Sequence, residues 1–100
     1  MLQNIENVDT PFLWVDLDRM EENIARLSAY FRERKLNWRP HTKGIKIPEI
    51  SIMALEEGAS GITCAKLSEA EIMAESGIGN ILIANQVVGT SKLERLCNLA

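Results

Sequence analysis

The chain has 100 residues, 46% hydrophobic and 25% charged, with a formal net charge of −3 and a pI near 5.1. That balance excludes disorder and fits a soluble globular domain, or part of a larger one. The acidic balance also makes nucleic acid and anionic membrane surfaces poor bulk partners.

No apolar run approaches the roughly 18 residues needed to cross a bilayer. Residues 1–9 have neither a basic side chain nor the apolar centre of a secretory signal. Cys64 and Cys97, with one histidine in the chain and no C-x-x-C pair, suit the reduced thiols of a cytoplasmic protein better than a disulfide framework or a zinc site.

Taken in order, residues 12–17 (FLWVDL) read as a short strand rich in aromatic and branched side chains. Asp18, with Glu21 three residues on, reads as the capping box of a helix over 19–34, whose apolar stripe is Met20, Ile24, Leu27 and Phe31. Asp16 and Asp18 share a strand face, but Asp18 is better used as the cap. Residues 37–42 read as the next strand, with Gly44 turning the chain after it. Pro48 suits the first turn of a second helix, and Gly58 its stop. Residues 61–67 read as a third strand.

Ser68 and Glu71 then read as a capping box, and Gly77 as that helix's end. Residues 80–88 open on a nearly continuous apolar run, the pattern of a strand buried on both faces. Ser91 and Glu94 read as the start of a last helix. Alternation of strand and helix predicts parallel strands with helical crossovers. So few elements cover an apolar strand poorly, and the expectation is the N-terminal part of a larger α/β domain.

The chemistry concentrates in Arg39-Pro40-His41-Thr42-Lys43-Gly44-Ile45-Lys46. These eight residues hold the only histidine, two of the five lysines and one of the three prolines. On a strand, Arg39, His41 and Lys43 share one face and Pro40 and Thr42 the other. The C-terminal end of a strand is where α/β proteins place their sites. A lysine there, crowded by the cations of Arg39 and His41, is expected to give up its proton more readily, which favours imine chemistry with a carbonyl.

The same spacing also fits a plainer arrangement, with Arg39 and Lys46 solvated, His41 hydrogen-bonded and Lys43 a strand-end charge. Asn85 and Gln86 are further candidates for the mouth, and Lys66 could face it. Cys64 reads as a small core residue. No nucleotide-binding glycine fingerprint is present.

Arg39-Pro40-His41-Thr42-Lys43, followed by Lys46, resembles the strand that carries the cofactor lysine in the D-threonine aldolase and D-serine dehydratase group, enzymes of the alanine-racemase-like, pyridoxal-phosphate class. Thr10-Pro11 through Asp16-Leu17-Asp18 and Asn23 resembles the opening of that group. The stretches Gly61-Ile62-Thr63-Cys64-Ala65-Lys66-Leu67-Ser68-Glu69-Ala70-Glu71 and Ile83-Ala84-Asn85-Gln86-Val87-Val88-Gly89 resemble its next two strands.

The resemblance implies an α/β fold in which residues 1–100 are the N-terminal βα units of a (β/α)8 TIM-type barrel. Residues 12–17 would join a C-terminal β-domain. It implies that Lys43 holds pyridoxal 5'-phosphate through a Schiff base, with His41 and Arg39 as cofactor-binding neighbours beneath it. The implied substrate is a small β-hydroxy-D-amino acid, and the implied reaction is retro-aldol cleavage. Dehydration, racemisation and cofactor binding without turnover stand as alternatives. A divalent metal, held by residues outside this chain, and a homodimer are also implied. Where many relatives have Thr-His between the two lysines, this chain has Gly44-Ile45.

Overall fold

The computed structural model describes residues 5–100. Among these, after a 3-10 turn at Ile5–Asn7, are α1 (Leu17–Glu33), α2 (Pro48–Glu56), β1 (Ile62–Cys64), α3 (Leu67–Glu75), β2 (Ile81–Ile83) and α4 (Thr90–Leu99). β1 and β2 pair in parallel, Ile62 opposite Ile81 and Cys64 opposite Ile83. Residues 38–42 run along the other edge of β1. The Thr63 N–H donates to Pro40 O and the Thr42 N–H to Thr63 O, each at 2.8 Å, and His41 bridges Thr63 in parallel. Pro40 has no N–H, so this segment makes an isolated bridge rather than a regular ladder.

The register places His41, Thr63 and Leu82 on one rung. Two residues earlier along each segment come Arg39, Gly61 and Asn80, and two residues later Lys43, Ala65 and Ala84. The opposite face carries Thr42, Ile62, Cys64, Ile81 and Ile83 and packs under the helices. Ile62, Cys64, Ala70, Met73 and Ile78 form the buried core, flanked by Ile52, Leu55 and Leu99. Thr42 sits at its margin, with Oγ1 3.2 Å from Thr63 O and 3.5 Å from Cys64 Sγ. The molecule is a slab of 46 × 41 × 20 Å with a Cα radius of gyration of 15.9 Å, where a closed domain of this length would give about 13 Å.

Several expectations hold. Pro48 opens α2 at its first turn, and Gly58 and Gly77 follow α2 and α3 with φ of 108° and 91°, values that favour glycine. Others are corrected. Residues 12–17 are not a strand. Residues 12–16 run unpaired, with Trp14 69% exposed, because no described segment pairs with them in a ladder, and Leu17 already belongs to α1. Helix α1 therefore starts earlier, capped by Asp16, whose Oδ1 accepts from the Arg19 N–H at 3.1 Å, and Asp18 falls in its first turn.

The interior position on α1 is Ser28 rather than Leu27. The Ser28 hydroxyl donates to the carbonyl of Glu57 at the end of α2, and Arg32 Nη2 reaches the same carbonyl at 3.1 Å. Ser68 and Ser91 do not cap: α3 follows Lys66 and α4 follows Gly89, neither with a side-chain cap. Leu82 is 51% exposed, so β2 is covered on its helix side and open on the face that carries His41. Finally, the positive φ of the central turn belongs to Lys46, at 60°, and not to Gly44.

Candidate functional site

Residues 42–46 close a tight turn at the C-terminal end of the 38–42 segment. Thr42 O accepts from the Ile45 N–H at 3.2 Å and from the Lys46 N–H at 2.8 Å. Both polar groups of the Lys43 backbone are held by side chains of the same motif. Its N–H donates to His41 Nδ1 at 3.1 Å, and its carbonyl accepts from Lys46 Nζ at 3.0 Å. Lys43 is exposed, and no side chain among the described residues pairs with its Nζ. Its backbone is thus fixed at both polar groups while its amine is unpaired among the described residues.

The structure keeps His41 and Lys43 together at the turn, whereas Arg39 points elsewhere. Its Nη1 lies 3.3 Å from Ile62 O and 3.2 Å from Asn80 O, at the opposite end of the strands. The expected crowding of Lys43 by the Arg39 guanidinium is therefore absent, and that cation instead ties the starts of β1 and β2 together. Lys66, Asn85 and Gln86 gather with Lys92 and Arg95 around a separate cleft of about 300 Å³. An apolar cleft of about 470 Å³ lies between α1, α2 and residues 38–42, walled by Trp14, Met20, Ile24, Pro40 and Ile50; Lys43 stands outside its wall.

One residue of the site was not singled out by sequence reasoning. Glu69, 6% exposed, accepts from the Ala65 N–H at 2.8 Å through Oε2, and its Oε1 lies 3.2 Å from Lys46 Nζ. Burial by itself would raise its pKa. The Ala65 hydrogen bond, the Lys46 ammonium and the charge of Lys66 outweigh that and hold the carboxyl below its ordinary value. Glu69 is the third residue of α3, where an acid can reach back to free N–H groups before the helix; that position was its signal, masked by the nearby Ser68 and Glu71. The Cys64 thiol is shifted the other way, raised first by burial and then by the Glu69 charge, against the bond from Thr42. Among the described residues there is no cluster of three or more side chains able to hold a metal, and no helix long and apolar enough to cross a membrane.

With the geometry in hand, the chain's relatives can be placed beside it. It is 43% identical over 96 residues to a D-threonine aldolase of Arthrobacter sp., covering 96% of this chain and 25% of that protein. It is 36% identical over 95 residues to a 3-hydroxy-D-aspartate aldolase of Paracoccus denitrificans, covering 92% and 24%. Among solved structures it superposes on D-threonine aldolase from Filomicrobium marinum with a TM-score of 0.91 and 44% identity, covering 96% of this chain and 26% of that one. A D-threo-3-hydroxyaspartate dehydratase variant in a metal-free form gives 0.87 and 34%, covering 98% and 26%.

The chain thus spans about a quarter of the length of these relatives. The alanine racemase N-terminal domain family matches residues 15–99, a span that includes the Lys43 turn, both strands and all four α-helices. The chain belongs to the alanine racemase N-terminal domain family.

Proposed function

We propose that the whole protein is a pyridoxal-phosphate-dependent lyase acting on β-hydroxy-D-amino acids, with retro-aldol cleavage between Cα and Cβ as its reaction. The observation behind this reading is the free amine of Lys43 on a backbone fixed at both its N–H and its carbonyl. The donor set fits the cofactor: a primary amine for its aldehyde, on a residue whose backbone N–H is held by a histidine. When bound, pyridoxal phosphate supplies an electron sink for the bonds of the substrate's α-carbon. Lys43 supplies the attachment amine, and His41 fixes the lysine's backbone. Arg39, two rungs below, holds the floor of the face on which the cofactor would rest.

In this reading residues 1–100 form the N-terminal portion of a (β/α)8 barrel, the exposed residues 12–17 pair with a C-terminal β-domain, and the protein is a cytoplasmic homodimer. The phosphate-binding groups, the acid–base partner and any divalent-metal ligands come from outside this chain. Dehydration of the same substrates is the second reading, favoured by 38% identity over 84 residues to the D-threo-3-hydroxyaspartate dehydratase of Delftia sp..

Borohydride reduction of the whole holo-protein, followed by peptide mass spectrometry, should place the cofactor on Lys43. A label on Lys46 or Lys66 would reject the assignment. Turnover of D-threonine, D-serine and 3-hydroxy-D-aspartate, with and without a divalent metal, then separates aldolase from dehydratase. Proton exchange at Cα without cleavage would point to a racemase, and cofactor binding without turnover to a carrier.

A further inference from the structure

Lys46 combines two features that local preference opposes. It is a non-glycine residue in the left-handed region, φ 60°, and its ammonium is directed at a nearly buried carboxylate. A strained backbone angle persists where surrounding contacts over-determine it, and here they are countable. Lys46 Nζ lies 3.0 Å from Lys43 O and 3.2 Å from Glu69 Oε1, while Glu69 Oε2 takes the Ala65 N–H at 2.8 Å. Ala65 directly follows β1, and Glu69 lies in the first turn of α3.

One ammonium therefore joins the carbonyl of Lys43 to the end of the neighbouring strand and to the start of the next helix. Glu69 Oε1 is buried and no donor among the described residues meets it in hydrogen-bond geometry, so the Lys46 ammonium at 3.2 Å is its close charge compensation. Lys66 contributes charge to Glu69 but no bond. The alternative for Lys46 is a solvated charge, as its exposed position in the turn would allow.

We propose that Lys46 and Glu69 are positioning residues for Lys43: their ion pair fixes the peptide that carries the cofactor amine, so that Nζ of Lys43 is presented in one orientation over the sheet. This rests on Lys43 being the attachment lysine.

The test uses the whole protein. Borohydride trapping on the wild type comes first; a label on a lysine other than Lys43 removes the underlying reading, whatever the variants do. With the label on Lys43, the Kd for pyridoxal phosphate and the induced circular dichroism of the bound cofactor are compared in Lys46→Met, Lys46→Gly, Lys46→Arg and Glu69→Gln. A misplacement of about 1 Å at a reacting group can cost on the order of 100-fold, so Kd is expected to weaken about tenfold or more. The dichroism should change with it in Lys46→Met, Lys46→Gly and Glu69→Gln, and Lys46→Arg should restore both.

Lys46→Gly separates charge from strain, since it relieves the backbone while removing the ammonium. Should Lys46→Met fail to fold, Lys46→Gly and Glu69→Gln decide by the same criterion. An unchanged Kd and dichroism in these variants, even with a lowered melting temperature, would overturn the proposal. So would an equal loss in Lys46→Arg.

Discussion

The guanidinium of Arg39 lies across Gly61, its Nη1 occupying the space where a Cβ on residue 61 would stand. The same Cβ would be 2.6 Å from the backbone oxygen of Asn80. Gly61 is therefore required by close approach and not by its φ, and Arg39 fills the space that the missing side chain leaves. Gly61→Ala should destabilise the protein by about 1–3 kcal/mol, the usual range for inserting volume into a packed site. Chemical denaturation would measure it. Arg39→Ala in the same background should recover only part of the loss, because the clash with Asn80 O remains; full recovery would show that the side chain alone sets the constraint.

Glu69 gives stability a defined dependence on pH. Its folded-state pKa lies below the ordinary value of 4.5. Its contribution is thus complete above about that value and is lost as the pH falls through the folded pKa. Glu69→Gln should then destabilise the protein at neutral pH by about 1–2 kcal/mol, the scale of a hydrogen bond to a charged group with a partly exposed partner. The difference from wild type should shrink steadily below pH 4.5. Denaturation curves across that range check it, and a difference that stays constant would mean that the carboxylate charge contributes nothing.

The two cysteines should separate cleanly by reactivity. Cys64 is buried at the centre of the core and its thiol is shifted upward, first by burial and then by Glu69, so little thiolate forms at neutral pH. Cys97 is exposed on α4. Labelling with a thiol reagent at neutral pH should modify Cys97 at once and Cys64 only on unfolding. Equal rates would show that β1 opens in the native state.

Much of this was legible in the residues, and the misses have physical causes. The alternation of elements, the helix-opening Pro48 and the stops at Gly58 and Gly77 depend on local sterics and hydrophobic periodicity, which sequence carries directly. The strand expected at 12–17 and the double burial expected around Leu82 depend on neighbours that the described residues do not supply.

The caps were misplaced because Asp16, Asp18, Ser68 and Ser91 are all competent acceptors and only packing decides which is used. At α3, Leu67 is drawn into the core and starts the helix one residue before Ser68. Lys46 reads from the sequence as a solvated charge and Glu69 as one acid among several, for a related reason. Their pairing joins segments 23 residues apart, and nothing in either residue's own neighbourhood announces the other.

The junction of α1 with α2 is held by polar contacts, and that supports one last prediction. Ser28 is almost fully buried, yet its hydroxyl donates to Glu57 O, the carbonyl at the C-terminal end of α2. Arg32, one turn further along α1, reaches that carbonyl at 3.1 Å and the Ser28 oxygen at 3.0 Å. A guanidinium at a helix C-terminus is also favoured by the helix dipole. Ser28→Ala should cost about 1–2 kcal/mol, since it removes the bond to Glu57 O and the one accepted from Arg32, while Arg32 still satisfies the carbonyl. Arg32→Ala alone should cost a similar amount. The double variant should lose more than the sum, by roughly 0.5–1 kcal/mol, because only then is the half-buried carbonyl left without either donor. A double-mutant cycle in denaturant measures that coupling, and strict additivity would mean that the two side chains act on Glu57 independently.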